Sequence, residues 1–241
     1  MRQVAVKRLR KVLQRLGVDA VRYPEHHPGH KRVLLLHHYG VDEVFDVGAN
    51  SGGYARELRE FGYRGHIVSF EPLAEPYARL QEIADLDPRW TAVNLALGAD
   101  TTTAPMHVAA NSASSSLLLM NDAHRRAAPW ATYIGEQEVS VTRLDDIFDA
   151  YRKGSVPFLK MDVQGYEEQV LEGAELSLPV VRGVQLEMSL VPLYDHAWLF
   201  TEAVLSMEEA GFDLVSLEPG FYNHETGRLL QADGIFMRSR R

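Results

Sequence analysis

Two acidic residues stand where the sequence predicts the ends of neighbouring buried strands. Asp162 directly follows the apolar run 156–161, and Glu187 lies near the end of the run 181–188. Because the carboxyl ends of parallel strands share one edge of a sheet, both carboxylates are expected there, where open α/β sheets bind their ligands. A carboxylate at that edge could take the proton of a hydroxyl during group transfer. Asp162 could equally cap the following helix or hold a cofactor, and Glu187 could hydrogen-bond the substrate.

The same two carboxylates form a candidate metal site. Mg²⁺ is a hard cation that prefers oxygen ligands, and Asp162 and Glu187 could hold one between adjacent strand ends. A metal there would lower the pKa of a bound hydroxyl and so replace a dedicated base. His196, a short distance further along the chain, is a third candidate for the base, although a lone loop histidine is more often a surface residue. The sequence leaves these roles open.

A glycine-rich segment opens the first predicted helix of the domain. Residues 45–53 read FDVGANSGG and overlap the end of the first predicted strand. Glycines in such a turn let the backbone approach a ligand closely. Glu71 ends the next predicted strand, 23 residues after Gly48, and an acid at that offset can accept hydrogen bonds from both hydroxyls of a ribose. We therefore expect a nucleoside-containing cofactor here, the alternative being a tight turn without a ligand.

The chemistry of this loop favours S-adenosylmethionine over NAD. Its spacing is Gly-x-x-x-Gly rather than the Gly-x-Gly-x-x-Gly that seats a pyrophosphate. Asp46 is expected to direct a carboxylate toward the loop, where it would repel a pyrophosphate. S-adenosylmethionine carries an ammonium and a sulfonium but no phosphate, so an acid near its methionine end is favourable. The alternatives are an NAD-dependent oxidoreductase and a protein that binds the cofactor without catalysis.

The composition argues against several other classes of protein. The 241 residues carry a net charge of -8, which argues against nucleic acid as the main partner because phosphate binding requires a basic surface. Cysteine is absent, so the chain has no disulfide, thiol nucleophile or thiolate metal site. No stretch reaches the roughly 18 apolar residues that span a bilayer. We expect a cytoplasmic protein that acts on a small molecule, and the oligomeric state stays open.

The N-terminal region differs in character from the rest. Residues 1–16 are basic, with apolar residues at helical spacing, and predict a basic amphipathic helix. Such a helix could make peripheral contact with an anionic membrane surface or a partner, or could simply pack its apolar side on the domain. Residues 22–32 contain two prolines and a glycine and predict a connecting loop. We accordingly predict an N-terminal appendage, residues 1–32, and one domain, residues 33–241.

The order of elements indicates an α/β domain. Apolar runs alternate with segments of helical spacing, which indicates a mostly parallel sheet with helices on both faces. The predicted strands are 43–47, 66–70, 91–95, 156–161 and 181–188, and the predicted helices are 53–61, 75–84, 166–171 and 200–210. The strand-like segments 212–217 and 230–237 are joined without a helix, so they predict a closing antiparallel hairpin. Residues 98–150 are less regular and contain a polar loop at 111–116.

Several motifs together resemble the FkbM family of class I S-adenosylmethionine-dependent methyltransferases. The matching segments are 46–53, 69–72, 94–98, 111–117, 141–146 and 158–167, within a resemblance that covers residues 40–237. The resemblance implies a Rossmann-like fold and transfer of a methyl group to an oxygen, often that of a sugar or of a natural-product hydroxyl. Gln164 stands where the family more often has glutamate.

The resemblance also implies which residues bind the cofactor and the acceptor. The cofactor residues are Asp46, Gly48, Asn50, Ser51 and Gly52 at the methionine end, Glu71 at the ribose, and Leu95 and Ala96 beside the adenine. The acceptor residues are Asn111, Ser112 and Ser115 of the polar loop. Independently of the resemblance, the aromatic ring of Tyr194 could stack on a sugar face, although aromatic residues in such loops pack on the core as often. The predicted function is thus O-methylation of a sugar, a glycoside or polysaccharide, or a similar natural product, with or without Mg²⁺.

Overall fold

The computed structural model describes Leu13, Arg15 and residues 23–238. The basic helix predicted for residues 1–16 therefore lies, apart from Leu13 and Arg15, outside the described residues. The described part of the chain forms a seven-stranded sheet and a three-stranded sheet. None of the helices within it combines the length and the apolar character that crossing a bilayer requires.

The central sheet is mostly parallel. In spatial order its strands are β3 (Trp90–Val93), β2 (His66–Phe70), β1 (Glu43–Val47), β7 (Pro157–Met161), β8 (Gly183–Ser189), β10 (Gln231–Arg238) and β9 (Phe212–Pro219). The first five strands pair in parallel, whereas β10 runs antiparallel to both of its neighbours. The strand order reverses between β1 and β7, which is where open α/β sheets bind their ligands. These features confirm the predicted α/β fold with an antiparallel hairpin at its end.

Helices cover both faces of this sheet. They are α1 (Pro28–His38), α2 (Gly53–Glu60), α3 (Ala74–Ala84), α5 (Leu144–Tyr151), α6 (Glu167–Glu172) and α7 (Phe200–Glu209). A short helix, α4 (Asp122–Ala127), packs instead in a separate apolar cluster with Met120 and Tyr194. Alternate strand residues point to opposite faces, so Val44 packs in the core that contains α1, α2 and α3, while Phe45 and Val47 pack with α5, α6 and α7. The strands read as continuous apolar runs because both faces are covered.

Residues 98–150, predicted to be less regular, contribute two of the three strands of a second sheet. Its strands are β4 (Ala96–Leu97), β5 (Thr102–Ala109) and β6 (Tyr133–Thr142), with β6 in the middle and β5 antiparallel to it. One side of this sheet packs on a small apolar cluster through residues such as Met106 and Val139. The other side is polar and exposed, and Pro105 interrupts the strand pattern of β5. For these reasons neither β5 nor β6 was predicted from the sequence.

Residues 28–32 also differ from the prediction of a connecting loop. Pro28 and Gly29 begin helix α1, in which proline is favourable at the first position because its missing N–H would have no intrahelical partner. His27 caps this helix, since its Nδ1 accepts a hydrogen bond from the N–H of Gly29 at 3.2 Å. The division into residues 1–32 and 33–241 stays a prediction.

A row of polar side chains crosses the sheet at β1. Lys160 of β7 lies directly opposite Asp46 of β1, and its Nζ is 3.0 Å from Asp46 Oδ1. Ser69 of β2 donates to Asp46 Oδ2 at 3.0 Å, and the indole N–H of Trp90 donates to Ser69 at 3.0 Å. Burial alone would lower the pKa of Lys160, but the carboxylates of Asp46 and Asp162 raise it instead. A charged ammonium is therefore held inside the core.

Lys160→Met should destabilise the fold strongly, because it leaves the buried Asp46 carboxylate without its cation. Removing one partner of a buried ion pair costs about 3–5 kcal/mol, and we expect a loss of that order in the free energy of unfolding measured with urea. Lys153→Met is the matched control: Lys153 is exposed, and its replacement should change the free energy of unfolding by less than about 0.5 kcal/mol. Equal effects of the two substitutions would contradict a supporting role for the pair.

Candidate active site

The loop between β1 and α2 folds tightly under the end of β7. Gly48, Asn50 and Gly52 adopt positive φ values of 73°, 48° and 80°. A Cβ on Gly48 would lie 1.9 Å from the main-chain oxygen of Asp162, so only glycine fits at this contact. The N–H of Gly48 donates to the carbonyl of Phe70 at 3.1 Å. The loop is thus fixed against both neighbouring strands of β1.

Glu71 follows β2 and joins the glycine loop to the next one. Its Oε2 accepts a hydrogen bond from the N–H of Asn50 at 2.8 Å, and its Oε1 accepts one from the N–H of Leu73 at 2.9 Å. Each oxygen keeps further acceptor capacity for a ligand. Glu71 is buried, and this burial raises the pKa of its carboxyl to about 7. An acid placed in this way can accept hydrogen bonds from ribose hydroxyls.

A cavity of about 640 Å³, open to solvent, lies over this loop. Five of the residues predicted to bind the cofactor line it: Gly48, Asn50, Glu71, Leu95 and Ala96. Ser51 and Gly52 belong to the same turn but are not part of the cavity wall. Asp46, expected to line the methionine end, is fully buried beneath the loop and paired with Lys160. Asp46 therefore does not line the cavity, and its carboxylate pairs with Lys160 instead of facing a ligand.

Asp162 and Glu187 come together at the carboxyl edge through an intervening amide. The side-chain nitrogen of Gln164 donates to Asp162 Oδ1 at 2.7 Å and to Glu187 Oε2 at 2.8 Å. Gln231 of β10 donates a second hydrogen bond to Glu187 Oε2, also at 2.8 Å. The sequence did not identify Gln164 or Gln231 as site residues. Both contact Glu187, which belongs to a different segment of the chain, and no spacing in the sequence indicates such a contact.

Tyr194 sets the orientation of Gln164. Its hydroxyl donates to Gln164 Oε1 at 2.7 Å, so the amide nitrogen faces the two acids. Burial raises the pKa of the Tyr194 phenol far above its usual value, which keeps the hydroxyl protonated and able to donate. Tyr194, expected to stack on a sugar face, is only 1% exposed and is held behind Gln164.

The site holds more carboxyl groups than cations. Burial, followed by the charges of Asp162 and Asp233, raises the pKa of Glu187 well above its usual value. Burial likewise raises the pKa of Asp233 to about 6 and that of Glu167 to about 7. Lys160, whose Nζ is 3.9 Å from Asp162 Oδ2, partly offsets this charge. The excess of acids favours a cationic ligand over an anionic one.

The cluster does not fit a magnesium ion shared by Asp162 and Glu187. Mg²⁺ requires oxygen ligands, whereas the group that bridges the two carboxylates is the N–H donor of Gln164. Among the described residues, no three His, Cys, Asp or Glu side chains form a group that could hold a metal ion. The expectation of a metal at this pair is therefore not supported, and hydrogen bonds link the carboxylates instead.

A second cavity, of about 630 Å³, adjoins the first. The two cavities share Ala113, Asp162 and Gln164 in their walls. Glu187 and Gln231 line the second cavity but not the first. Asp162 thus stands at the junction, and Glu187 lies on the side of the second cavity.

Aromatic residues form much of the remaining wall of the second cavity. They are Trp130, Phe221 and His124. His124 is 3% exposed, and burial lowers its pKa to about 4, so its imidazole is neutral near pH 7. Its ring packs edge-on against Tyr194, with the ring centres 5.1 Å apart. The sequence did not identify His124, because its helix α4 has only six residues and shows no amphipathic pattern.

The polar loop 111–116 contributes to both cavities. Ser112 and Ser115, expected to contact the acceptor, line the first cavity, while Asn111 lines the second. The side-chain amide of Asn50 donates to the hydroxyl of Ser112 at 3.1 Å. This bond ties the polar loop to the glycine loop beside the first cavity.

His196 lies apart from both cavities. It is exposed in the turn between β8 and α7, with a φ of 60°, and it belongs to the wall of neither cavity. Of the three candidates for a base, the structure thus brings Asp162 and Glu187 together and leaves His196 outside.

Comparison with known proteins relates the chain to methyltransferases. A model of the Methyltransferase FkbM domain matches residues 46–214. One similar protein is the 2-O-methyltransferase NoeI of Sinorhizobium fredii, 24% identical over 196 residues, which cover 79% of this chain and 80% of that protein. Another is the hexuronic acid methyltransferase AglP of Haloferax volcanii, 28% identical over 181 residues, which cover 73% and 69%. Among solved structures, magnesium protoporphyrin IX methyltransferase from Synechocystis matches with a TM-score of 0.47 and 12% identity, over 94% of this chain and 89% of that one.

The raised pKa of Glu71 should make the stability of the ligand-free protein depend on pH. The carboxyl titrates near 7 when folded and near 4.5 when unfolded, so between these values the folded state holds a proton that the unfolded chain releases. This contribution to stability is fully present below about pH 4.5 and is lost as the pH rises through about 7. Between about pH 5 and about pH 8, the free energy of unfolding measured with urea should fall for both proteins. For the Glu71→Gln variant this fall should be smaller by about 2–3 kcal/mol than for the unchanged protein.

Glu75→Gln is the control for this measurement. The Glu75 side chain is 71% exposed, so its replacement should leave the pH dependence of unfolding as it is. If Glu71→Gln also kept the original pH dependence, the Glu71 carboxyl would titrate normally in the folded protein.

Proposed function

Because the chain belongs to the Methyltransferase FkbM domain family, we propose that it transfers the methyl group of S-adenosylmethionine to a hydroxyl of a sugar, a glycoside or polysaccharide, or a similar natural product. The choice of a saccharide acceptor is supported by the names of two similar proteins, a 2-O-methyltransferase and a hexuronic acid methyltransferase. It is also supported by the mixture of aromatic and polar groups in the second cavity.

The junction of the two cavities is the observation that carries this proposal. Methyl transfer is an in-line displacement, so the donor sulfur and the acceptor oxygen must approach the methyl carbon from opposite sides. Holding two reactants in such alignment can contribute about 7–11 kcal/mol. Two cavities that share Asp162 and Gln164 in their walls suit this requirement, with the donor in the first and the acceptor in the second.

The residues of the first cavity fit S-adenosylmethionine. Glu71 would accept hydrogen bonds from the ribose hydroxyls, Leu95 and Ala96 would flank the adenine, and the chain at Gly48 would lie close to the methionine end. When bound, the cofactor supplies an electrophilic methyl group on a sulfonium. The surplus of carboxyl groups suits its positive charges and would repel the pyrophosphate of NAD.

Glu187 is the residue that we assign to proton removal. Gln164 and Gln231 both donate to its Oε2, and no residue of the described chain donates to its Oε1. That oxygen is therefore available to accept the proton of an acceptor hydroxyl in the second cavity. Asp162, at the junction, would hold the same hydroxyl toward the first cavity. A general base of this kind typically adds about 10²–10⁴-fold to the rate, and this assignment involves neither Mg²⁺ nor His196.

Cofactor binding tests the class of the protein. In calorimetric titration, S-adenosylhomocysteine should bind with micromolar affinity and NAD should not bind. Glu71→Gln should weaken the affinity for S-adenosylhomocysteine about 10–100-fold, because a hydrogen bond to a charged group contributes about 1.5–3 kcal/mol. Glu75→Gln should leave the affinity unchanged. Binding of NAD, or of neither compound, would rule out the proposed cofactor.

Turnover with a panel of sugars, followed as formation of S-adenosylhomocysteine, tests proton removal. Glu187→Gln should lower kcat about 10²–10⁴-fold with little change in the affinity for S-adenosylhomocysteine. Glu209→Gln, which replaces an exposed acid of α7, should retain normal kcat. A chelator should leave the rate of the unchanged protein as it was. Normal turnover of Glu187→Gln would contradict the role of Glu187 in proton removal. Inhibition by the chelator would indicate that a metal ion takes part in the reaction.

A further inference from the structure

The second cavity has an acidic wall. Asp162 and Glu187 line it, and Asp233 lies directly opposite Glu187 in the pairing of β8 and β10. Within the described part of the chain, no lysine or arginine lines this cavity. His124, which does line it, has its pKa lowered by burial to about 4 and is uncharged near pH 7.

Two cations near this cavity, Lys160 and Arg125, have partners elsewhere. Lys160 Nζ is 3.9 Å from Asp162 Oδ2 but only 3.0 Å from Asp46 Oδ1, and its side chain is 6% exposed. Arg125 of α4 donates to the main-chain oxygen of Met120 and to the carboxylate of Asp122. Neither side chain lines the cavity, so neither is placed to pair with a negative group on an acceptor.

The uncharged part of the wall suits a hydroxylated ring. Trp130, whose residue surface is 57% exposed, and Phe221 offer apolar faces against which the C–H face of a sugar could pack. The amides of Asn111 and Gln231 offer hydrogen-bond donors and acceptors for hydroxyl groups. Asp162 and Glu187 can accept hydrogen bonds from hydroxyls, whereas a ligand carboxylate would meet acids and no lysine or arginine among the described residues of this wall.

We propose that this cavity selects a neutral glycoside and rejects a sugar that carries a carboxylate. The inference rests on the proposed function and narrows its acceptor class. Recognition of a uronate would require a cation, or at least several N–H donors directed at its carboxylate, whereas the groups here would repel it. Placing like charges in contact is a common means of excluding an unwanted partner. Asp162 and Glu187 are then specificity-determining residues as well as reacting ones.

The experiment uses matched acceptors that differ only at one carbon. The 241-residue chain is assayed with S-adenosylmethionine and a panel of methyl hexopyranosides, each paired with the methyl hexopyranosiduronate of the same stereochemistry, at about pH 7.5, where the uronate is ionised. We expect kcat/KM for the neutral member to exceed that for the uronate by about tenfold or more in every pair that is turned over.

A charge added at the rim should shift this preference. Asn111 is exposed and lines the cavity, so Asn111→Arg should raise the ratio of uronate to neutral turnover several-fold, mainly through KM for the uronate. Asn111→Gln is the neutral control and should leave the ratio unchanged. Calorimetric titration with S-adenosylhomocysteine shows that each variant still binds cofactor.

The outcomes separate the inference from the function on which it rests. Turnover of a uronate at a rate equal to or above that of its neutral partner would overturn the inference while leaving sugar methylation intact. No turnover of any sugar, with S-adenosylhomocysteine still bound, would overturn both the inference and the saccharide acceptor but not the cofactor. A higher ratio of uronate to neutral turnover in Asn111→Arg, with the ratio unchanged in Asn111→Gln, would support the role of charge, and an unchanged ratio in both variants would contradict it.

Discussion

The buried ammonium of Lys160 is the contact on which the arrangement of the site depends. It neutralises Asp46 and also donates to the main-chain oxygens of Val47 and Gly48, at 3.4 and 3.2 Å, where the glycine loop begins. The register of β1 and β7 places it there, at the point where the strand order reverses. Taking a charge out of water costs several kcal/mol, and one carboxylate and two carbonyl groups together offset that cost. The same contact connects the loop under the first cavity to the strand that leads to Asp162.

The remaining acids explain why stability and ligand choice are linked in this protein. Glu71, Glu167, Glu187 and Asp233 all have raised pKa values, because burial and, for most of them, neighbouring carboxylates penalise their charged forms. Without a ligand, this cost weakens the fold as the pH rises. A cationic cofactor would relieve it, whereas a pyrophosphate would add to it. The excess of acids that penalises the ligand-free state is therefore also what would favour a sulfonium and, as proposed, a neutral acceptor.

Elements that obey local rules could be predicted from the sequence. β1, β2, β7 and β8 are apolar runs because helices cover both faces of the sheet, and the position of Glu71 follows from its offset from the glycine loop. Contacts between distant segments could not be predicted in this way. Asp46 was expected to face a ligand because its partner Lys160 lies far along the chain and becomes visible only through strand register. Gln164 and Tyr194 meet because two loops converge, and no pattern within one segment indicates the direction of an amide.

The amide at position 164 allows two acids to lie close together without a cation between them. A glutamate there would add a third carboxyl beside Asp162 and Glu187, and such a group holds together only by taking up a proton or a cation. Gln164 instead offers one N–H to each acid. Tyr194, which burial keeps protonated, fixes the amide in that orientation. Because these hydrogen bonds occupy Asp162 Oδ1 and Glu187 Oε2, each acid keeps its other oxygen for a ligand, which is the arrangement that the proposed removal of a hydroxyl proton requires.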